Sequence, residues 1–134
     1  MVLSPTAFPD TEAIAAKTLR DANITGSRVY SSIPKNPTYP LITVHRIGGL
    51  PAVRDYMDAA NIQIEVWGGT KSEAFDAAAE ARATLIELEG TSVTDPVDAW
   101  ISAVEDSLGL SWQPDPLTGK DRYLFAVSIY ARST

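Results

Sequence analysis

The chain has 134 residues, 45 % of them hydrophobic and 21 % charged, which suits a single globular domain, 1–134, built on one core. With 11 Lys and Arg against 17 Asp and Glu the net charge is −6, so a protein that grips nucleic acid by neutralising phosphates is excluded. There is no cysteine, which rules out disulfide frameworks and thiolate metal sites, and no apolar run is long enough to cross a bilayer as a helix.

The opening MVLSPTAFPD lacks the basic and long apolar regions of a secretion signal, so a soluble protein made in the cytoplasm is expected. Pro5 and Pro9 make residues 1–9 an extended arm, with Leu3 and Phe8 as the groups able to tie it down. Asp10 or Thr11 can cap a helix over 10–24, with Glu12 near its positive end. Ala15, Leu19 and Ala22 recur on one face of that helix, Ala16 flanks them, and Gly26 is placed to stop it. A short strand is expected within 28–33, and the prolines at 34, 37 and 40 then keep the following link extended and outside any sheet.

The stretch from Tyr39 to Gly69 organises the chain. Ile42 and Val44 share one face of a first strand, and Ile62, Ile64 and Val66 share one face of a second, with Thr43, His45, Asn61, Gln63 and Glu65 opposite. The connection over 48–58 is too long for a tight turn, so its tip projects. Because it keeps Val53, Tyr56 and Met57, an interfacial role is expected of it. Thr70-Lys71-Ser72-Glu73 has the spacing of a capping box and opens a helix over 70–89, whose stripe is Ala74, Ala78, Ala81, Leu85 and Leu88. Val97 to Leu108 alternates, placing Ala99, Ile101 and Ala103 on one face and Trp100, Ser102 and Val104 on the other. A proline-punctuated turn over 109–120 leads to a last strand, 122–132, with Tyr123, Phe125, Val127 and Ile129 aligned. These elements predict an α+β fold: an antiparallel sheet of about four strands with two helices packed on one face.

Chemistry is sparse in this pattern. His45 is the only histidine, and no nucleophile elbow accompanies it, so no catalytic residue is expected. No carboxylate spacing matches a calcium loop and no second histidine supports a transition metal, so neither metal nor cofactor is expected. Gly68-Gly69 before a helix has the elements to cradle a phosphate, but a strand-to-helix turn in which the glycines take backbone angles other residues avoid is the plainer reading. Glu105 and Asp106, being adjacent on a strand, point to opposite faces and do not pair for acid–base work. Trp67, Trp100 and Trp112 are the costliest groups to expose, so any of them at the monomer surface marks an assembly contact.

The runs VYSSIPKNPTYPLITVHRIGG, IQIEVWGGTKSEAFDAAAEARATL and SWQPDPLTGKDRYLFAVSIYAR resemble the tail terminator (tail-completion) proteins of long-tailed bacteriophages, above all those of actinobacteriophages. The likeness covers nearly all of 10–132 and lies in a succession of segments: an extended proline link, a strand with Arg-x-Gly-Gly, Trp-Gly-Gly before a helix, and Tyr-Leu-Phe in the last strand. It implies a non-enzymatic virion protein at the tail–neck junction that forms a homohexameric ring on the head-proximal end of the tail tube. Such a ring ends tube polymerisation and offers the surface on which the head docks. The implied partners are further copies of the chain, the tail tube protein and a head-completion protein of the neck, with DNA passing through unbound and no membrane involved.

A ring needs two different patches per subunit. One is expected on the 48–58 loop with Val53, Tyr56 and Met57, and the other near Trp67, Trp100 and Trp112. Asp55, Asp58, Glu65 and Glu105 are candidates for an acidic lumen that repels DNA phosphates. A head-completion or connector subunit of the same junction is the alternative. A small cytosolic enzyme or ligand-binding domain, built on the Gly68-Gly69 helix start, is a third reading.

Overall fold

Alternation of apolar and polar residues along four long strands divides the molecule into a covered and an uncovered side. The computed structural model describes residues 7–134, so Leu3 and most of the expected arm lie outside the described residues. The order is α1 (Thr11–Asp21), β1 (Val29–Tyr30), β2 (Leu41–Gly48), β3 (Pro51–Val53), β4 (Met57–Trp67), α2 (Lys71–Ile86), β5 (Thr91–Val93), β6 (Ala99–Trp112) and β7 (Arg122–Arg132). The strands form one mixed sheet in the order β1-β2-β4-β7-β6-β5, with β3 beside β4. Only β1 runs parallel to its neighbour.

The expected four antiparallel strands are therefore β2, β4, β7 and β6, and the sheet is larger than predicted. β1 is the short strand expected within 28–33, and the additional strands β3 and β5 hold three residues each, too few to carry a period-two signature. Both helices cover the same side. Ile14, Ala15 and Leu19 of α1 and Ala77, Ala78, Ala81 and Leu85 of α2 join one core with Ile42, Val44, Ile62, Ile64, Val66, Ile101, Phe125, Val127 and Ile129. Alanine in α2 lets that helix lie close on the strands.

Both helix starts follow from their caps: the Asp10 carboxylate accepts from the Ala13 amide and the Thr70 hydroxyl from the Glu73 amide, each at 3.1 Å. The end of α1 differs from expectation. Asn23, at φ 57°, takes the left-handed turn three residues before Gly26, because a short amide side chain tolerates that conformation. The helix consequently stops at Asp21 and Ala22 is exposed, while Ile14, absent from the expected stripe, is buried.

A second difference lies in β6. Its residues from Trp100 to Trp112 pair with those from Arg132 to Tyr123, thirteen against ten, so the ladder slips three times, between Ile101 and Ala103, Asp106 and Leu108, and Leu108 and Ser111. The first slip swaps the expected faces: Val104 turns into the core and Ala103 turns out beside Trp100. The extra residues also curl the sheet. Ser107 of β6 donates to Asn61 Oδ1 of β4 at 2.8 Å, and Ser102 lies 3.4 Å from the Met57 sulfur, both across the intervening β7. In a flat sheet those strands stand roughly 10 Å apart. The uncovered face is thus concave.

The root of the β3–β4 hairpin is fixed by Arg46, whose guanidinium makes a two-pronged ion pair with Asp58, 2.9 Å on one arm, while its Nε donates to the Gly48 carbonyl. Asp58 is only 1 % exposed. At Gly49, φ 104°, a Cβ would stand 2.1 Å from the Ala59 carbonyl oxygen, so only glycine lets the two backbones approach this closely. Asp58→Ala strands the half-covered Arg46 charge and is expected to cost about 3 kcal/mol, near the lower end for a broken buried pair. Urea unfolding measures it, and Arg46→Leu combined with Asp58→Leu should recover most of the loss.

Candidate functional site: two apolar ends of a curled sheet

The large apolar side chains left in solvent fall mainly into two groups. Ile47, Leu50, Val53 and Tyr56 surround the β3–β4 hairpin, with Leu50 82 % exposed. Phe75, Trp112 and Leu117 sit where β6 turns into β7, with Leu117 93 % exposed at the tip of that turn. Because β4 starts at the hairpin and pairs along its whole length with β7, the two groups occupy opposite ends of an 11-residue strand, about 35 Å long.

The hairpin end gathers four of the interface residues singled out from sequence. Tyr56 lies under the Arg132 guanidinium at 5.7 Å, Arg132 pairs across the ladder with Trp100, and Met57 reaches Ser102 on the same concave side. Val53 is exposed beside them and opposes Met57 in the short ladder. The far end is stiffened by its own contacts. Lys71 lies 3.9 Å over the Trp112 ring, whose Nε1 donates to Asp121, and Phe75 meets Tyr123 edge to face at 5.4 Å. Asp115 accepts from the Thr118 hydroxyl and from the Leu117 amide, and these bonds hold its carboxyl below the usual carboxylate range. Trp112 therefore stands apart from Trp100, on the helix side of the sheet and at the opposite end.

Trp67 does not reach the surface. It is 6 % exposed, with Arg122 over its ring at 5.0 Å and Thr43 against its indole nitrogen, so the monomer already covers it. The acidic set divides in the same way. Asp58 is buried against Arg46, and Glu65 is 14 % exposed between Arg122 at 3.2 Å and His45 at 3.5 Å. Asp55 and Glu105 are the exposed members, Asp55 on the hairpin turn and Glu105 on the concave side of β6. A burial-blind sequence reading had no means of separating these pairs. Arg46 and Arg122, the cations that occupy two of the four acids, were visible only as strand residues.

Among the described residues a groove of about 300 Å³ runs along α1, lined by Glu12, Lys17, Arg20, Val44 and Pro96 and open to solvent; neither His45 nor Gly68-Gly69 lines it. At Gly68 a Cβ would fall 2.7 Å from the Ala74 Cβ, so that glycine is required by the packing of α2 on its own turn. Among the described residues no group of three His, Asp or Glu is placed to hold a metal ion, and no helix is long and apolar enough to cross a membrane.

No family model and no curated protein matches the chain. The fold does match solved structures. One is a chain of "Virion of native gene transfer agent (GTA) particle", with a TM-score of 0.66 at 16 % identity, covering 95 % of this chain and all of that one. At that identity the likeness is one of fold, and it extends over the whole domain rather than over a shared motif.

One surface pair links the helix layer to the curled strand. Arg82 of α2 meets Asp106 of β6 at 2.6 and 2.8 Å, and this hydrogen bonding holds the Asp106 carboxyl below its ordinary value while raising Arg82. A depressed carboxylate contributes fully above its unfolded pKa of about 4 and loses that contribution as pH falls through the lower folded value. Both side chains are about 40 % exposed, so screening limits the effect to about 0.5 kcal/mol. Stability measured by urea between pH 6 and pH 2 should therefore fall by that much less in Asp106→Asn than in the parent.

Proposed function

We propose that this chain is a structural component of a phage-like virion that forms a ring at the head-proximal end of the tail tube, ends tube growth and presents the surface on which the head docks. The observation that carries the reading is the whole-domain fold likeness to a chain of a gene transfer agent virion. The run of segments similar to phage tail terminators supports the more specific role. The two separated apolar ends leave one subunit with two dissimilar patches for its partners to cover.

In this reading the hairpin end, with Val53, Tyr56 and Met57 beside Trp100, meets a neighbouring copy or the tube. The Trp112 and Leu117 end takes the opposite contact. Trp67 stabilises the subunit from within. DNA passes a lumen whose repulsion rests on Asp55 and Glu105 together with the net charge of −6, since Asp58 and Glu65 are occupied by arginines. A homohexamer, the tail tube protein and a head-completion protein are the proposed partners, and the tail–neck junction of the virion is the proposed location. A connector subunit of the same junction would use the same ends but bind the head side.

Two measurements test the proposal. Purified protein added to polymerising tail tube protein should cap the tubes at a set length in electron micrographs, and uncapped growth would refute the terminator role. Tyr56→Asp should abolish assembly, seen by light scattering across a concentration series, while circular dichroism and the unfolding midpoint stay within about 0.5 kcal/mol of the parent, as for an exposed surface site.

A further inference from the structure

Each side of the sheet ends in a strand that its outer neighbour covers only in part. β1 pairs with Ile42 and Thr43, which leaves Val44–Gly48 of β2 with an unpaired outer edge among the described residues. β5 pairs with Ala99–Ile101, which leaves the rest of β6 to Trp112 in the same condition. Long uncovered edges invite pairing with another chain, and proteins usually blunt them. Here each is blunted at one amide by a helix-borne or post-helix glutamate. Glu12 accepts from the Arg46 N–H at 2.7 Å, and Glu89 accepts from the Val104 N–H at 3.0 Å.

We infer that these two edges are the two halves of one interface between copies of this chain, the β2 edge of one subunit joining the β6 edge of the next, with Glu12 and Glu89 as displaceable covers of the amides. The inference rests on the ring reading above and specifies its contact. Strand directions permit it. β2, β4, β7 and β6 alternate in direction, so in a ring whose subunits share one orientation β6 of one copy runs antiparallel to β2 of the next, and the alternation continues. Side chains agree as well. Exposed Leu108 lies on the concave side of the β6 edge and exposed Ile47 lies on the β2 edge, so with these two set opposite each other aliphatic faces aliphatic. Strand addition supplies main-chain hydrogen bonds over the length of the edge, with alternate side chains setting register.

The chain has no cysteine, so an engineered pair reports the contact directly. Ile47→Cys with Leu108→Cys, assembled with tail tube protein and oxidised, should give a covalent ladder extending beyond the dimer, whereas either single variant gives none. Ile47→Cys with Glu105→Cys places the second thiol elsewhere on the same side and covers a shift in register. Capped tubes without a ladder from either pair would overturn the edge contact while leaving the ring intact, and the absence of any assembly by the parent would overturn both. Glu89→Ala, which uncovers the Val104 amide, should lower the protein concentration for half-assembly roughly fivefold, the scale of one net hydrogen bond. An unchanged or higher concentration would overturn the part assigned to Glu89.

Discussion

Thirteen residues of β6 are laid against ten of β7, and much of the shape follows from that mismatch. Each surplus residue bends its strand and adds local twist. With three of them in one strand, β6 arches over β7 until its serines touch β4. The curl turns an ordinary two-layer α+β arrangement into a shell with helices outside and a polar concave side within. It also returns Val104 to the core after Ser102 has slipped, so the bend is achieved without exposing a buried aliphatic group.

On the concave side two arginines are each engaged by a neighbouring side chain. Arg122 bridges Glu65 and the Trp67 ring, and Arg132 lies over Tyr56. Guanidinium groups suit this work because they are planar, weakly hydrated and able to stack. The arrangement explains how a chain with few cations keeps Trp67 and the Glu65 carboxylate on a sheet face without leaving a side-chain polar atom both buried and unpaired among the described residues.

The helices and the four long strands were legible because each carries enough residues to show its period. Ala74, Ala78, Ala81, Leu85 and Leu88 all lie in the core as their spacing predicts. Of the short strands the one within 28–33 was legible, whereas β3 and β5 were not, since pairing rather than periodicity defines an element as brief as Thr91–Val93. The bulges in β6 were hidden for a related reason: an extra residue is defined relative to a partner strand, and Ser102 looks like any other small polar residue within its own. Of the expected interface residues, Tyr56 and Val53 are exposed because turn residues rarely find cover, whereas the fate of Trp67 depended on an arginine 55 positions later in the chain.

The hairpin bearing Val53 and Tyr56 is anchored at its root by Arg46, Asp58 and the close backbone contact at Gly49, while its tip touches little else. A peg held this way is already in one conformation before it meets anything. Docking it forfeits little chain freedom, so more of the contact energy survives as affinity, and changes at the tip will register chiefly in how slowly a complex comes apart rather than in how fast it forms.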